Sequence, residues 1–221
     1  MPVEPAPTQW QFTDAGSWEP GFDVVAIGAD LEPGTVLAAY RRGMFPMHLS
    51  TGELGWWSPD PRGVLPLDAF HISRSLARSM RRFTMTVDSC FEDVMRACAD
   101  RPDAEGWITE EFVDTYGLLH RLGWAHSVEV WDQDARLVGG LYGLEIGGLF
   151  AGESMFHRTT DASKAALAGL VAIMLAAGDG RSRLLDVQWR TDHLASLGAI
   201  EIPRRRYLQR LERALELSPA F

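Results

Sequence analysis

A carboxylate and a carboxamide interrupt the otherwise apolar stretch LLDVQW, which begins at Leu184. Side chains alternate between the two faces of a strand, so Asp186 and Gln188 are predicted to share one face. A buried carboxylate costs free energy unless it is hydrogen-bonded. Asp186 therefore either ties down a neighbouring loop or helix, or it takes part in chemistry. In the second interpretation it accepts a hydrogen bond from the Gln188 amide, and the Gln188 carbonyl points outward as a fixed acceptor.

Such an acceptor suits the orientation of an amine nucleophile. An amide is too weak a base to remove a proton from an ammonium group. An α-amine, however, has an ordinary pKa of about 7.7–8.0, so a useful fraction is already neutral near pH 7. Asp186 and Gln188 are therefore the candidate catalytic pair.

Other polar and aromatic residues are open to two interpretations. Glu153 is either a satisfied structural acid or an acceptor for a substrate amine. Trp56, Trp57 and Trp107 belong either to the core or to a surface that stacks on a nucleobase. The stretch GESMF contains Ser154 but lacks the G-x-S-x-G pattern, so no hydrolase elbow is predicted. The six histidines form no H-E-x-x-H pair, and no metal site is predicted.

Arginines cluster in the segment 71–82, which contains no acidic residue. The set comprises Arg74, Arg78, Arg81 and Arg82. Apolar residues recur with a similar spacing on the opposite face of a predicted helix, at Ile72, Leu76 and Met80. The net charge of −9 argues against general affinity for nucleic acid. The arginine ridge is either an ordinary solvated helix face or a local site for an anion such as a phosphate backbone.

Composition limits the remaining possibilities. The chain has 221 residues, of which 46% are hydrophobic, enough to bury a sizeable core. We expect no membrane span, because no run of about 18 uncharged apolar residues occurs. We also expect no secretory signal, because the N-terminal residues lack a basic region followed by an apolar block. Cys90 and Cys98 are predicted to lie about two helical turns apart, too far for a disulfide. A cytoplasmic protein is expected.

The pattern of elements predicts a mixed sheet flanked by helices, of the α/β or α+β class. A short helix over 36–42, capped by Asp30 or Thr35, and a proline-rich stretch ending near Arg62 suggest a small N-terminal domain over 1–62, followed by a larger domain over 63–221. Helices are predicted at 71–83, 90–100, 109–123, 161–180, 192–199 and 203–217, strands at 84–88 and 184–189, and two hairpins within 126–156.

Several stretches, taken together and in order, resemble the leucyl/phenylalanyl-tRNA–protein transferases. The resemblance runs from about Ile27 to Tyr207. Each stretch is a weak signal alone, but their shared order is specific. They are WWSPDPR (56–62), HISRS (71–75), GWIT (106–109), HSVEVW (126–131), LVGGLYG (137–143), GESMF (152–156), ASKAAL (162–167), DVQ (186–188), HLASLGA (193–199) and EIPRR (201–205).

The resemblance implies a small N-terminal domain and a GNAT-like acyltransferase domain. It implies transfer of Leu or Phe, sometimes Met, from aminoacyl-tRNA to the N-terminal Arg or Lys of a protein, which creates a degradation signal (an N-degron). The aminoacyl ester is already activated, so no cofactor is expected, whether metal, ATP or acetyl-CoA. We expect a monomer.

The resemblance also implies roles for individual residues. Asp186 and Gln188 fall on the family's D-x-Q motif, Trp107 on a tryptophan that contacts the terminal adenosine, and Glu153 beside the reacting amines. The four ridge arginines fall on the helix that binds the acceptor stem. The pocket for the Leu or Phe side chain is expected to be lined by Phe150, Leu141 and Met155. Met47 stands where the family usually has Trp, so either Trp56 or Trp57 compensates or the affinity for the nucleotide end is lower.

The sequence leaves two other functions open. An acyl-CoA-dependent N-acyltransferase would need a glycine-rich loop before its long helix, and HRTTDASKAAL (157–167) contains no glycine. A non-catalytic module that binds tRNA or a degron is disfavoured by the intact Asp186 and Gln188 but is kept open by Met47.

Overall fold

The computed structural model describes residues 1–100 and 106–221, and its strands form two sheets. The smaller sheet is antiparallel and has three strands, with β3 between the other two. These strands are β1 (Val24–Ile27), β2 (Phe45–His48) and β3 (Leu54–Trp57).

The larger sheet has seven strands and is mixed. They are β4 (Arg62–Leu65), β5 (Thr84–Val87), β6 (Ala125–Trp131), β7 (Leu137–Ile146), β8 (Leu149–His157), β9 (Leu184–Gln188) and β10 (Ile200–Ile202). Their order across the sheet is β10-β4-β9-β8-β7-β6-β5. Every neighbouring pair is antiparallel except β8 and β9, which run parallel. The predicted mixed α/β class is thus confirmed, as are the two hairpins that join β6, β7 and β8.

Helices cover both faces of the larger sheet. They are α1 (Pro33–Tyr40), α2 (Arg74–Met80), α3 (Phe91–Ala99), α4 (Glu110–Arg121), α5 (Ala162–Ala176), α6 (Asp192–Ser196) and α7 (Arg204–Leu215). Leu141 packs in the cluster beneath α5, whereas its neighbour Tyr142 packs in the cluster beneath α3 and α4. This alternation follows from the two-residue period of a strand.

The N-terminal region shares a core with the rest of the chain. Val36 of α1 and Trp56 of β3 belong to the same buried cluster as α3 and α4. Arg62, the last residue of the predicted first domain, is the first residue of β4 in the larger sheet. The division at residue 62 therefore stays a prediction.

The pairing of β8 with β9 is short. It runs from Leu149–Leu184 to Ala151–Asp186, although β8 continues to His157. Beyond Ala151 no ladder hydrogen bonds join the two strands, so a gap opens in the middle of the sheet.

Several local predictions are corrected. Glu32, not Asp30 or Thr35, is the N-cap of α1, because Pro33 occupies its first turn, where a missing N–H costs nothing. Thr109 is the N-cap of α4 but makes no capping hydrogen bond with its side chain. Helix α2 is shorter than predicted and ends at Met80.

Strands β1 to β4 and β10 were absent from the sequence-based prediction. Each spans only three or four residues, too few to establish a two-residue period. Within the described ranges, no helix is both long and apolar enough to cross a membrane.

Candidate active site

A cavity of about 510 Å³ lies where β8 and β9 separate. One wall comes from β8 and β7, the other from the end of β9, and α5 and α6 complete it. The lining residues are Trp107, Leu141, Gly152, Glu153, Ser154, Met155, His157, Ser163, Leu167, Leu170, Leu185, Val187, Gln188, Trp189, Thr191, His193 and Leu194. Most of this surface is apolar, while Glu153 and Gln188 bring an acid and an amide to it.

Two β-bulges aim these polar side chains. Tyr142 and Gly143 of β7 pair with Ser154 and Gly152 of β8, so Glu153 is an extra residue in β8. Gly63 and Val64 of β4 pair with Gln188 and Asp186, so Val187 is an extra residue in β9. A bulge breaks the alternation of faces and redirects side chains.

The second bulge corrects the prediction that Asp186 and Gln188 share a face. Asp186 is fully buried and does not line the cavity, whereas Gln188 does. The Asp186 carboxylate does not accept from the Gln188 side-chain amide; it accepts from the Gln188 backbone N–H, with Oδ1 3.0 Å from the nitrogen. Gln188 has a φ of 54°, in the left-handed region that side chains other than glycine rarely adopt. This backbone hydrogen bond stabilises that conformation.

Arg62 is the main partner of Asp186. Its Nε lies 2.9 Å from Oδ1 and its Nη2 lies 2.6 Å from Oδ2. The Tyr207 hydroxyl donates to Oδ2 at 2.9 Å. The guanidinium also packs against the rings of Phe45 and Tyr207, at 5.0 and 4.4 Å from their centroids. Asp186 is therefore a fully paired carboxylate that holds the end of β9.

Glu153 lines the cavity beside Gln188. The Gln188 Nε2 lies 3.4 Å from Glu153 Oε1. Tyr40 donates a hydrogen bond to the same carboxylate, and the Tyr40 and Tyr116 hydroxyls are 2.7 Å apart. Burial, together with the nearby charge of Asp186, raises the pKa of Glu153 to about 8, against the opposing effects of Tyr40 and Arg62.

The apolar part of the cavity contains two of the three predicted pocket residues, Leu141 and Met155. Phe150 is fully buried and does not line the cavity. It packs behind the wall, with its ring 5.6 Å from that of Phe221. The prediction for Phe150 is corrected because its side chain emerges before the strands separate.

The predicted tryptophans occupy different environments. Trp107 lines the cavity. Trp56 is fully buried and donates to the Gly28 carbonyl, so it offers no open ring face to a ligand. Trp57 donates to the Met47 carbonyl and packs edge-on against Trp189, with the ring centroids 5.8 Å apart.

Trp189, which lines the cavity, was not predicted from the sequence as a site residue. Its indole N–H donates to Asp23 at 3.1 Å. Arg62, Tyr40, Tyr116 and Tyr207 were missed as well. Arg62 offered one usable signal, since an arginine in an apolar stretch such as RGVL requires a buried acidic partner.

The arginine ridge lies outside the cavity on α2 and the turn after it. All four arginines are exposed, but Arg81 and Arg82 follow the end of the helix rather than continuing it. Ser79 of α2 donates to Asp161, which precedes α5, at 2.8 Å. This contact links the ridge to a helix that lines the cavity. Among residues 1–100 and 106–221, no cluster of acidic, histidine or cysteine side chains is arranged to hold a metal ion.

Comparison with known proteins places the chain in a family. The family described as "Leucyl/phenylalanyl-tRNA protein transferase" matches residues 64–212. The chain belongs to this family. The family described as its N-terminal domain matches residues 29–60. As a member of the leucyl/phenylalanyl-tRNA–protein transferase family, the protein is an enzyme of the aminoacyltransferase type.

Relatives from different bacteria match over most of the chain. The leucyl/phenylalanyl-tRNA–protein transferase of Anaeromyxobacter sp. (strain K) is 48% identical and the alignment covers 98% of this chain and 93% of that protein. That of Syntrophotalea carbinolica is 45% identical, covering 97% and 93%. That of Herpetosiphon aurantiacus is 48% identical, covering 86% of this chain and 98% of that transferase.

Proposed function

We propose that the enzyme transfers leucine or phenylalanine, and sometimes methionine, from aminoacyl-tRNA to the N-terminal Arg or Lys of acceptor proteins. The observation that carries this proposal is the placement of Gln188 and Glu153 side by side in a largely apolar cavity. An apolar aminoacyl side chain fits the apolar part, which places its ester carbonyl beside the two polar groups.

The reaction needs an amine held against that carbonyl. The carbonyl oxygen of the Gln188 amide accepts no hydrogen bond from the part of the chain that the structure describes, so it is free to receive the acceptor's α-amine. Gln188 orients the amine, and Asp186 acts through it by fixing the backbone of Gln188. Holding two reactants in an attack geometry can supply much of the rate enhancement.

The tRNA binds across two surfaces in this proposal. Trp107 stacks on the terminal adenosine at the mouth of the cavity, with Trp57 supporting Trp189 on the other side. The arginine ridge binds phosphates of the acceptor stem, and the contact between Ser79 and Asp161 keeps the ridge at a fixed position relative to α5. We further propose that the enzyme acts as a monomer in the cytoplasm, where its product serves as an N-degron.

The pocket also sets the limit of selectivity. Leu141, Met155 and Leu185 contact the substrate side chain only through apolar atoms. Such a pocket distinguishes substrates that differ by one methylene by roughly 1–3 kcal/mol. Discrimination of leucine from valine is therefore expected to be modest at this site.

The test is transfer of labelled leucine from Leu-tRNA to peptides that begin with Arg, Lys, Asp or Ala. We expect transfer to the Arg and Lys peptides, loss of kcat in Gln188→Ala and Asp186→Ala, and retained affinity for Leu-tRNA in both variants. Tight binding of Leu-tRNA without any transfer by the wild-type protein would contradict the proposal and support a binding module instead. Transfer from an acyl-CoA donor would support the other alternative.

A further inference from the structure

Aminolysis of an ester requires a proton to move. The attacking nitrogen loses a proton as the C–N bond forms, and the departing ribose oxygen gains one as the C–O bond breaks. A group that touches both atoms can carry out both transfers. The proposed function does not by itself identify this group.

Asp186 is unsuited to the task. Both of its oxygens already accept hydrogen bonds, from Arg62, Tyr207 and the Gln188 backbone, and it does not reach the cavity surface. To take a proton it would have to break a buried ion pair, which is costly. The Gln188 amide is hardly basic. Neither member of the D-x-Q pair can accept the proton readily.

The geometry points to Glu153 as the proton carrier of the reaction, an inference that rests on the proposed function. Glu153 is the only carboxylate among the described residues that line the cavity. It lies within 3.4 Å of the Gln188 side chain that orients the amine. Its position in a bulge turns its side chain toward the gap between β8 and β9.

Two histidines also line the cavity. His157 is four residues further along β8, about 13 Å away at 3.3 Å per residue. Burial lowers the pKa of His193, and the nearby charges of Lys164 and His157 lower it further. His157 is therefore remote from the amine site, and among the described residues neither histidine side chain hydrogen-bonds to Gln188 or Glu153.

The groups around Glu153 suit a proton that moves both ways. Tyr40 from α1, with Tyr116 from α4 behind it, donates to the carboxylate, Asp186 from β9 repels its charge, and Arg62 from β4 attracts it. Burial and Asp186 prevail, so the pKa of Glu153 is about 8. An α-amine has a pKa of about 7.7–8.0, so proton exchange between the two is nearly balanced.

The steps balance as follows. The neutral amine attacks the ester carbonyl while the ionised Glu153 takes one of its two protons. The tetrahedral intermediate then collapses, the C–O bond breaks, and Glu153 gives that proton to the ribose oxygen. The amide nitrogen keeps the other proton, and Glu153 returns to its ionised state. No oxidant, metal or further co-reactant is needed.

The experiment is the pH dependence of kcat/KM for an Arg peptide with saturating Leu-tRNA. Two groups, the amine and Glu153, must lose a proton in the wild-type reaction. The plot of log(kcat/KM) against pH is therefore expected to approach a slope of two below pH 7. In Glu153→Gln only the amine titrates, so the slope falls to one, and kcat falls by about 10²–10⁴-fold. A slope of two in Glu153→Gln, or an unchanged kcat, overturns the inference.

Two further variants separate proton transfer from a structural effect. Glu145→Gln changes another buried glutamate whose pKa burial raises, but one that lies outside the cavity, and it is expected to keep the slope of two. In Glu153→Ala, added formate is expected to restore part of the rate in proportion to its concentration. Absence of this rescue in a folded Glu153→Ala protein that binds Leu-tRNA overturns the inference. These outcomes differ from failure of the proposed function, in which the wild-type protein itself would transfer no leucine.

Discussion

At the scale of single residues, Asp186 and Glu153 show how one site gives two carboxylates opposite environments. Arg62, Tyr207 and a backbone amide surround Asp186 with donors, so its position is fixed. Glu153 has an amide and a phenol nearby but no cation in direct contact among the described residues. Two carboxylates with such different hydrogen-bond partners commonly have different roles in a site.

The ion pair between Arg62 and Asp186 predicts strong coupling in stability. Arg62→Met leaves Asp186 charged, buried and unpaired, which is expected to cost about 3–5 kcal/mol. Replacing both residues with apolar side chains removes the unpaired charge, so the double variant should lose much less than the sum of the single variants. Urea denaturation of the four proteins of this double-mutant cycle measures the coupling, and additive losses would contradict it.

Because the pKa of Glu153 is raised in the folded protein, ionisation of Glu153 is expected to destabilise the fold as the pH rises. In the unfolded chain its pKa is near the ordinary 4.5, and in the folded protein it is about 8. The folded state therefore holds more protons between these values, and stability falls as the pH rises through this window. Because Gln cannot ionise, the stability of Glu153→Gln relative to the wild type should increase from pH 5 to pH 8. The difference in Tm should grow by roughly 2–4 °C for each kcal/mol of difference in the free energy of unfolding. The exposed Glu201→Gln is the control and should show no such trend.

At the scale of elements, the site depends on how β4 and β9 pair. Gly63 lies opposite Gln188, and a Cβ added at Gly63 would lie 2.8 Å from the backbone nitrogen of Arg190 and from the backbone carbon of Trp189. Only a residue without a side chain permits this approach. The strand that carries Arg62 thus also sets the position of the turn that carries Gln188.

This close approach predicts the effect of Gly63→Ala. The methyl group must push away the backbone of Trp189 and Arg190, directly after Gln188, so we expect a loss of about 1–3 kcal/mol in stability. We also expect a larger fractional loss in kcat than in affinity for Leu-tRNA. Gly16→Ala is the matched control, because a Cβ there meets nothing within 4 Å. Equal activity of the two variants would show that the turn tolerates displacement.

The elements also explain which parts of the site the sequence could predict. The long helix α5, the β6–β7–β8 hairpins and helix α2 carry local periodicity, and the structure contains each of these elements where the sequence predicts it. The bulges at Glu153 and Val187 leave no local signature, since an extra residue is defined by pairing with a distant strand. Arg62 and Asp186 lie 124 residues apart, so their pairing exists only in the folded chain.

At the scale of the whole molecule, charge is distributed unevenly. The net charge is −9, yet the Asp, Glu, Lys and Arg content of segment 71–82 consists of four arginines alone, and all four are exposed. On an acidic protein, a basic ridge attracts a polyanion locally and so favours binding of a nucleic acid at the ridge.

This distribution predicts the salt dependence of tRNA binding. The plot of log K against log salt has a negative slope, and each phosphate contact removed should make it shallower by about 0.9 for a duplex. Arg78→Gln is expected to make the slope shallower by about this amount, whereas Arg181→Gln, an exposed arginine before the start of β9, should leave it unchanged. Equal slopes for Arg78→Gln and the wild type would exclude a phosphate contact at Arg78.

The gap between β8 and β9 also affects the rate at which backbone amides exchange with solvent. Amides in the centre of a sheet usually exchange with solvent deuterium only when the whole domain unfolds. Here the inner edges of two central strands lose their ladder after Ala151 and Asp186. Deuterium uptake should therefore be rapid at those amides of residues 152–157 that face β9, while the amides of the same segment that pair with β7, and those of 184–186, stay slow. A bound aminoacyl-tRNA would fill that gap, and the amides that face β9 should then become slow.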